Sequence, residues 1–252
     1  MTVTDSVLLF VAGFLAGLVN AVAGGGTFLT FGALSLAGLP PIAANATSSI
    51  AQFPGYVTST LAYAKDIRRY WQGALPLLVV SVVGSLLGAL ILLALDNPSF
   101  KRLVPWLLLA ATALFAAGPW LRPKPTGGAG AEGGRQRYLS PLTQFVASIY
   151  GGFFGAGMGI MMLATLGLTE GGDYHRLNAL KNTLALVIAA VAIVVFALGD
   201  VVGWVQVAVM VPAAALGGYA GVWGAKRVPQ TAVRVFVIAV GLLLTAYYFA
   251  AA

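Results

Sequence analysis

The sequence predicts an all-α integral membrane protein made of two inverted-topology repeats, each a glycine-broken hairpin followed by three transmembrane helices. Three observations carry that expectation. The 252-residue chain is 60% hydrophobic and only 8% charged, where soluble domains carry about a quarter charged residues. It matches itself without gaps at an offset of 133 residues, so that Ala23, Gly24 and Gly26 meet Ala156, Gly157 and Gly159, and Asn45 and Ala46 meet Asn178 and Ala179. Trp71, Gly84 and Gly88 continue the same register onto Trp204, Gly217 and Gly221. Third, glycines interrupt the first apolar stretch of each half, at Gly24, Gly25 and Gly26 and again at Gly157 and Gly159.

Apolar runs near 42–64, 72–95, 103–121, 177–199, 204–225 and 232–252 each approach or exceed the roughly 20 residues that cross a hydrocarbon core. The repeats occupy residues 1–118 and 138–252, with a polar Pro/Gly-rich linker at 119–137 expected in the cytoplasm. The first run lacks a basic leader, which argues against a cleaved signal peptide.

In each half the hairpin comes first. Residues 28–39 are about 12 in number, roughly 18 Å as a helix and short for a crossing. Two helices meeting at Gly24–Gly26 are therefore expected, with a second helix starting near Thr27. The counterpart runs from Leu142 through the second glycine cluster to a helix starting near Ile160. Backbone broken at membrane depth must face protein, water or a ligand. Two helix N-termini facing each other would suit an anion.

The next helix of each half opens on polar residues: Asn45, Thr47, Ser48, Ser49 and Gln52 in the first, Asn178, Lys181, Asn182 and Thr183 in the second. Lys181 carries the sharpest signal. Thirteen residues without a charge follow it, and a lone intramembrane ammonium needs an anion, water or carbonyls around it. Asn20, one turn before the first break, joins this expected patch. Gln144 and Tyr150 are weaker additions. The remaining glycine pairs, Gly84 with Gly88 and Gly217 with Gly221, read as close helix contacts, and the tryptophans as interface anchors.

Charge sets the expected orientation. Eleven basic residues (65, 68, 69, 122, 124, 135, 137, 176, 226, 227, 234) fall on loops assigned to the inside, against two (101, 102) outside, with Lys181 inside a helix. The positive-inside rule then places both termini on the side of the membrane away from the cytoplasm and turns the halves over relative to each other.

These residues resemble a known family. The run Gly13–Thr30 with Gly38, Leu39, Pro40 and the Ala46–Ser48 segment, together with Gly151–Gly159 and Asn178–Asn182, is similar to the sulfite exporter TauE/SafE family of bacterial membrane transporters. The resemblance covers nearly the whole chain apart from the linker. It implies transport of a sulfur-containing anion such as sulfite, sulfoacetate or a related organosulfonate, with the polar helix starts as substrate contacts.

The expected substrate-binding set is therefore Asn20, Gly24, Gly25, Gly26, Thr27, Asn45, Thr47, Ser48, Ser49, Gln52, Gly157, Gly159, Asn178, Lys181 and Asn182. The expected partners are a small anion and the lipid bilayer, with proton coupling open and no nucleic acid. No cofactor is expected. A passive anion channel or exchanger is the nearest alternative. A membrane-embedded enzyme is disfavoured, because the chain holds no cysteine and one histidine, and none of its seven acids lies deep in a span. An intrinsic ATPase is disfavoured by the lack of a phosphate loop.

Overall fold

The computed structural model describes residues 1–22, 25–62, 64–121, 133–170, 174–224 and 230–251. Among them the chain forms ten α-helices: α1 (Val3–Val22), α2 (Thr27–Leu36), α3 (Pro41–Ala62), α4 (Ala64–Ala94), α5 (Asn97–Leu121), α6 (Gly133–Phe153), α7 (Met158–Thr169), α8 (Tyr174–Leu198), α9 (Trp204–Gly224) and α10 (Gln230–Ala251). At the 133-residue offset, α1–α5 fall on α6–α10 one for one, each pair differing by a few residues at its ends.

Five of these are long and apolar enough to cross a bilayer: residues Val3–Asn20, Ala74–Ala94, Asn97–Ala117, Arg176–Leu198 and Thr231–Ala250. The set differs from the six apolar runs of the sequence in three ways, one of them at 204–225, where the described apolar stretch of α9, Trp204–Ala220, is shorter than a crossing. Helix α3 has the length but not the hydropathy, because its first half is filled with polar side chains. Helix α1, read from sequence as half of a broken segment, is itself of spanning length.

The main packing pairs repeat when the halves are exchanged. Helix α1 packs on α9 as α6 packs on α4; α3 packs on α9 as α8 packs on α4; α2 meets α10 as α7 meets α5. Helices α3 and α8 pack on each other, as do α5 and α10. Glycine makes the two strongest contacts possible: a Cβ at Gly17 would overlap the Ala214 carbonyl oxygen, and one at Gly217 that of Phe14. In the matching interface a Cβ at Gly88 would overlap the Ile149 carbonyl, and one at Gly84 would lie 2.8 Å from that of Phe145. Close backbone approach of this kind is how helices gain packing contacts where apolar burial gives no preference over lipid. Gly221 lies outside the described side chains.

Side chains sort accordingly. Val79, Val83, Leu86, Leu90 and Ile91 on α4 point outward, as a lipid-facing surface requires. Trp106, Trp120 and Trp204 are exposed, while Trp71 and Trp223 fall outside the described side chains. Buried serines use backbone carbonyls or one another: Ser85 donates to the Ile188 carbonyl at 2.7 Å, and Gln144 Nε2 donates to Ser81 Oγ at 2.8 Å.

Both hairpins are present. Helix α2 ends in a Schellman motif, in which Leu39 N–H reaches the Leu34 carbonyl and Gly38 N–H that of Ser35, with Gly38 at φ 84°. Helix α7 starts at Met158, two residues before the sequence-based expectation, because Gly157 takes the left-handed conformation (φ 75°) that sets the first turn.

Candidate functional site

The two breaks come to the same level. Gly25 (φ 87°) packs against Phe115 of α5 and Val237 of α10, and Gly157 packs against Ala111 of α5. Ala111 and Phe115 are one turn apart, about 6 Å along the helix. Gly26 precedes α2 so closely to α1 that a Cβ would overlap the Ala16 carbonyl. The second break is braced by Tyr150, whose hydroxyl donates to the Ala156 carbonyl at 2.5 Å. Gly24 lies outside the described residues.

The polar start of α3 divides into ties and cavity walls. Asn45 Nδ2 donates to the Phe153 carbonyl at 2.9 Å, joining the two halves at the end of α6. Thr47 Oγ1 accepts from Gly203 N–H at 2.9 Å, and Ser48 Oγ pairs with Thr30 Oγ1 at 2.6 Å. These three side chains are buried and engaged. Ser49, Gln52 and Tyr56, at spacings of three and four, share another face of α3. They line a small, partly open cavity with Thr27 at the first turn of α2. Asn20 instead rests against the α3 backbone, its Nδ2 being 3.0 Å from where a Gly55 Cβ would stand.

The second half supplies the opposite wall of this cavity: Gly151, Gly155, Met158, Ala189 and Ala192. Gln52 is the anomaly in the lining. It is only 3% exposed, and its Nε2 has no hydrogen-bond partner. A buried amide donor left without an acceptor costs about 1–3 kcal/mol, and of the buried side-chain atoms without a partner only that of Gln52 belongs to a residue of this lining.

Lys181 stands beside the cavity and is not part of its lining. The position a Cβ on Gly159 would take is 3.8 Å from Lys181 Cδ, which lays the lysine stem along the first turn of α7. Among the described residues no carboxylate makes an ion pair with it. Glu170, which could have reached back, instead accepts from Ser140 at 2.5 Å and lies 3.9 Å from Arg176. Asp173 lies outside the described residues. Asn178 and Asn182 are buried on the same helix, and the Asn182 carbonyl accepts from Thr60 Oγ1 at 3.2 Å.

The sulfite exporter TauE/SafE family model matches residues 9–248, almost the entire chain. The chain belongs to that family. Individual relatives carry the name of probable membrane transporters, and two of the three described match 95% of the chain. It is 29% identical over 248 residues to a Haemophilus influenzae protein named "probable membrane transporter protein", covering 95% of this chain and 92% of the relative. It is 26% identical over 245 residues to the Escherichia coli (strain K12) "probable membrane transporter protein YfcA", covering 95% and 87%. A Sinorhizobium protein, "probable membrane transporter protein ORF9", is 30% identical over 183 residues, covering 69% of this chain and 65% of that one.

In this TauE/SafE member, a multi-pass membrane transporter, sequence reasoning left six residues of the lining, Tyr56, Gly151, Gly155, Met158, Ala189 and Ala192, out of the expected site. The repeat held a signal for two of them, since the 133-residue offset superposes Tyr56 on Ala189, and both line the cavity. Among the described residues no three His, Cys, Asp or Glu side chains gather as a metal site. What the cavity can offer is hydrogen-bond donors and the start of α2 on one wall, and apolar side chains with the start of α7 at Met158 on the other.

Proposed function

We propose that this transporter is a secondary carrier of a small sulfur-containing anion, such as sulfite, sulfoacetate or a related organosulfonate. In this reading the anion crosses the cytoplasmic membrane by alternating access. The observation that carries it is the common level of the two glycine breaks on α5. There the N-termini of α2 and α7 each bring the positive end of a helix dipole, and Lys181, a cation without a carboxylate partner among the described residues, lies along the first turn of α7. An anion is the ligand that such a combination favours.

The two repeats, 1–118 and 138–252, are the moving halves, oppositely oriented in the membrane with both termini outside. The basic residues crowded on one set of loops support that orientation, and the paired helix contacts supply matching interfaces on which each half can rock. The cytoplasmic linker at 119–137 joins them. The proposed substrate contacts are those of the sequence-based set that face the breaks or the cavity, Thr27, Ser49, Gln52, Gly159 and Lys181. Asn45, Thr47 and Ser48 hold the frame.

The test is flux into proteoliposomes containing the purified protein, with sulfite, a short sulfonate, sulfate and acetate, each with and without a pH gradient. Saturable uptake of at least one sulfur oxyanion above protein-free liposomes is expected. Equal passage of all four without saturation would point to a passive channel instead.

A further inference from the structure

We infer that the cavity walled by Thr27, Ser49, Gln52 and Tyr56 is an uncharged-donor subsite that accepts an oxyanion bearing one negative charge and rejects its dianion. A diprotic substrate then crosses with the proton it retains. The inference rests on the transport reading above and adds to it the charge state of the transported species.

Every donor in the lining is neutral. Gln52 brings an amide nitrogen, 97% covered and without an acceptor. Thr27 brings a hydroxyl at the first turn of the ten-residue α2, where the dipole favours negative charge. Tyr56 interacts with Thr27, and Ser49 already donates to the Asn45 carbonyl at 3.1 Å, so its remaining capacity is modest. The facing wall of glycine, methionine and alanine adds no charge and lowers the local polarity.

Such a site treats one charge and two very differently. The penalty for taking an ion out of water grows with the square of its charge, while uncharged donors return a gain closer to proportional. A monoanion can be held by a few good hydrogen bonds. A dianion calls for a second cation, whereas the described lining holds none and the one ammonium beside it, Lys181, balances a single charge.

Among the described residues the surrounding elements bring one cation near the cavity, Lys181, and a single ammonium matches a single negative charge. Among the described residues that line the cavity, Tyr56 is the sole titratable side chain. On α6, Tyr150 is committed to the Ala156 carbonyl; α2, α7 and α9 carry no charged residue. On α8, Lys181 lies along Gly159 outside the lining, and Arg176 faces Glu170 at the helix start. The charges of the other helices against α3 fall within their first two turns by sequence: Asp5 on α1, Lys101 and Arg102 on α5, and Lys65, Asp66, Arg68 and Arg69 on α4. The proton therefore travels on an oxygen of the substrate, and no protein carboxylate has to be loaded or emptied.

The experiment compares sulfite, whose second proton leaves near neutral pH, with methanesulfonate, which is a monoanion throughout. Both are measured in proteoliposomes at equal internal and external pH, from neutral upward. Sulfite flux is expected to fall with its monoanion, about tenfold per pH unit once the second ionisation is passed, while methanesulfonate flux stays level and thereby reports any titration of the protein. Gln52→Met, checked for folding by size-exclusion elution, is expected to lose at least nine-tenths of both fluxes, and Gln52→Lys to keep sulfite moving at high pH. Sulfite flux that holds or rises with pH while methanesulfonate stays level overturns the inference and leaves transport standing. So does a folded Gln52→Met protein with wild-type methanesulfonate flux. Absence of flux for both anions in the wild type overturns the transport reading, and this inference with it.

Discussion

Gly25 and Gly157, one from each half of the chain, pack on α5 a single helical turn apart, the first beside Phe115 and the second beside Ala111. Both have positive φ, a conformation that costs a side-chain-bearing residue about 1–2 kcal/mol. Gly25→Val adds a clash, since a Cβ there would stand 2.9 Å from Phe115 and from Val237. Gly38 has an equally left-handed φ but open space around it. Gly25→Val is expected to abolish flux, whereas Gly38→Ala lowers the unfolding temperature slightly and keeps flux near wild type. Flux assays beside thermal unfolding in detergent separate the two effects.

The helix interfaces make a second prediction. Gly17 and Gly88 sit where a side chain would strike the backbone of Ala214 and Ile149, respectively, and backbone cannot yield as a side chain tip can. Gly17→Leu and Gly88→Leu should each destabilise by at least about 1–3 kcal/mol, the usual cost of overpacking. The fall in unfolding temperature should be similar for the two if the interfaces are equivalent. A variant as stable as wild type would show that α1 and α9, or α4 and α6, do not pack this closely.

Asn45 separates frame from site. Its amide bond to the Phe153 carbonyl, part-buried, ties the halves, and removing it takes away a hydrogen bond worth about 0.5–1.5 kcal/mol. Asn45→Ala is thus expected to unfold at lower temperature while retaining flux per folded molecule. A specific loss of flux at unchanged stability would move Asn45 back among the substrate contacts.

That distinction was not visible in the sequence. Helical spacing groups Asn45, Thr47, Ser48, Ser49 and Gln52 as one polar stretch, but the partners that occupy three of them lie at Phe153, Gly203 and Thr30, two of these more than a hundred residues away. No local pattern encodes such pairings. The repeat, the two breaks and the start of α2 at Thr27 were legible, because glycine placement and periodicity are local properties. The start of α7 was misplaced by two residues, since nothing in the apolar run Met158–Leu163 marks where the left-handed turn at Gly157 ends.

Lys181 tests the charge at the second break. Lys181→Ala removes the ammonium beside the α7 N-terminus, and losing a desolvated charge partner costs about 2 kcal/mol or more. Flux of the transported anion should fall at least about tenfold with little change in stability, and Lys181→Arg should restore part of it. Wild-type flux in a folded Lys181→Ala protein would remove Lys181 from the site.

Alternating access itself is tested most directly at Ser49, which lines the cavity on α3. The chain contains no cysteine, so Ser49→Cys is the single thiol, addressable by a membrane-impermeant maleimide applied to right-side-out or inside-out vesicles. The account predicts labelling from both faces, slowed from both by saturating methanesulfonate. Labelling from one face alone, unaffected by the anion, would contradict it.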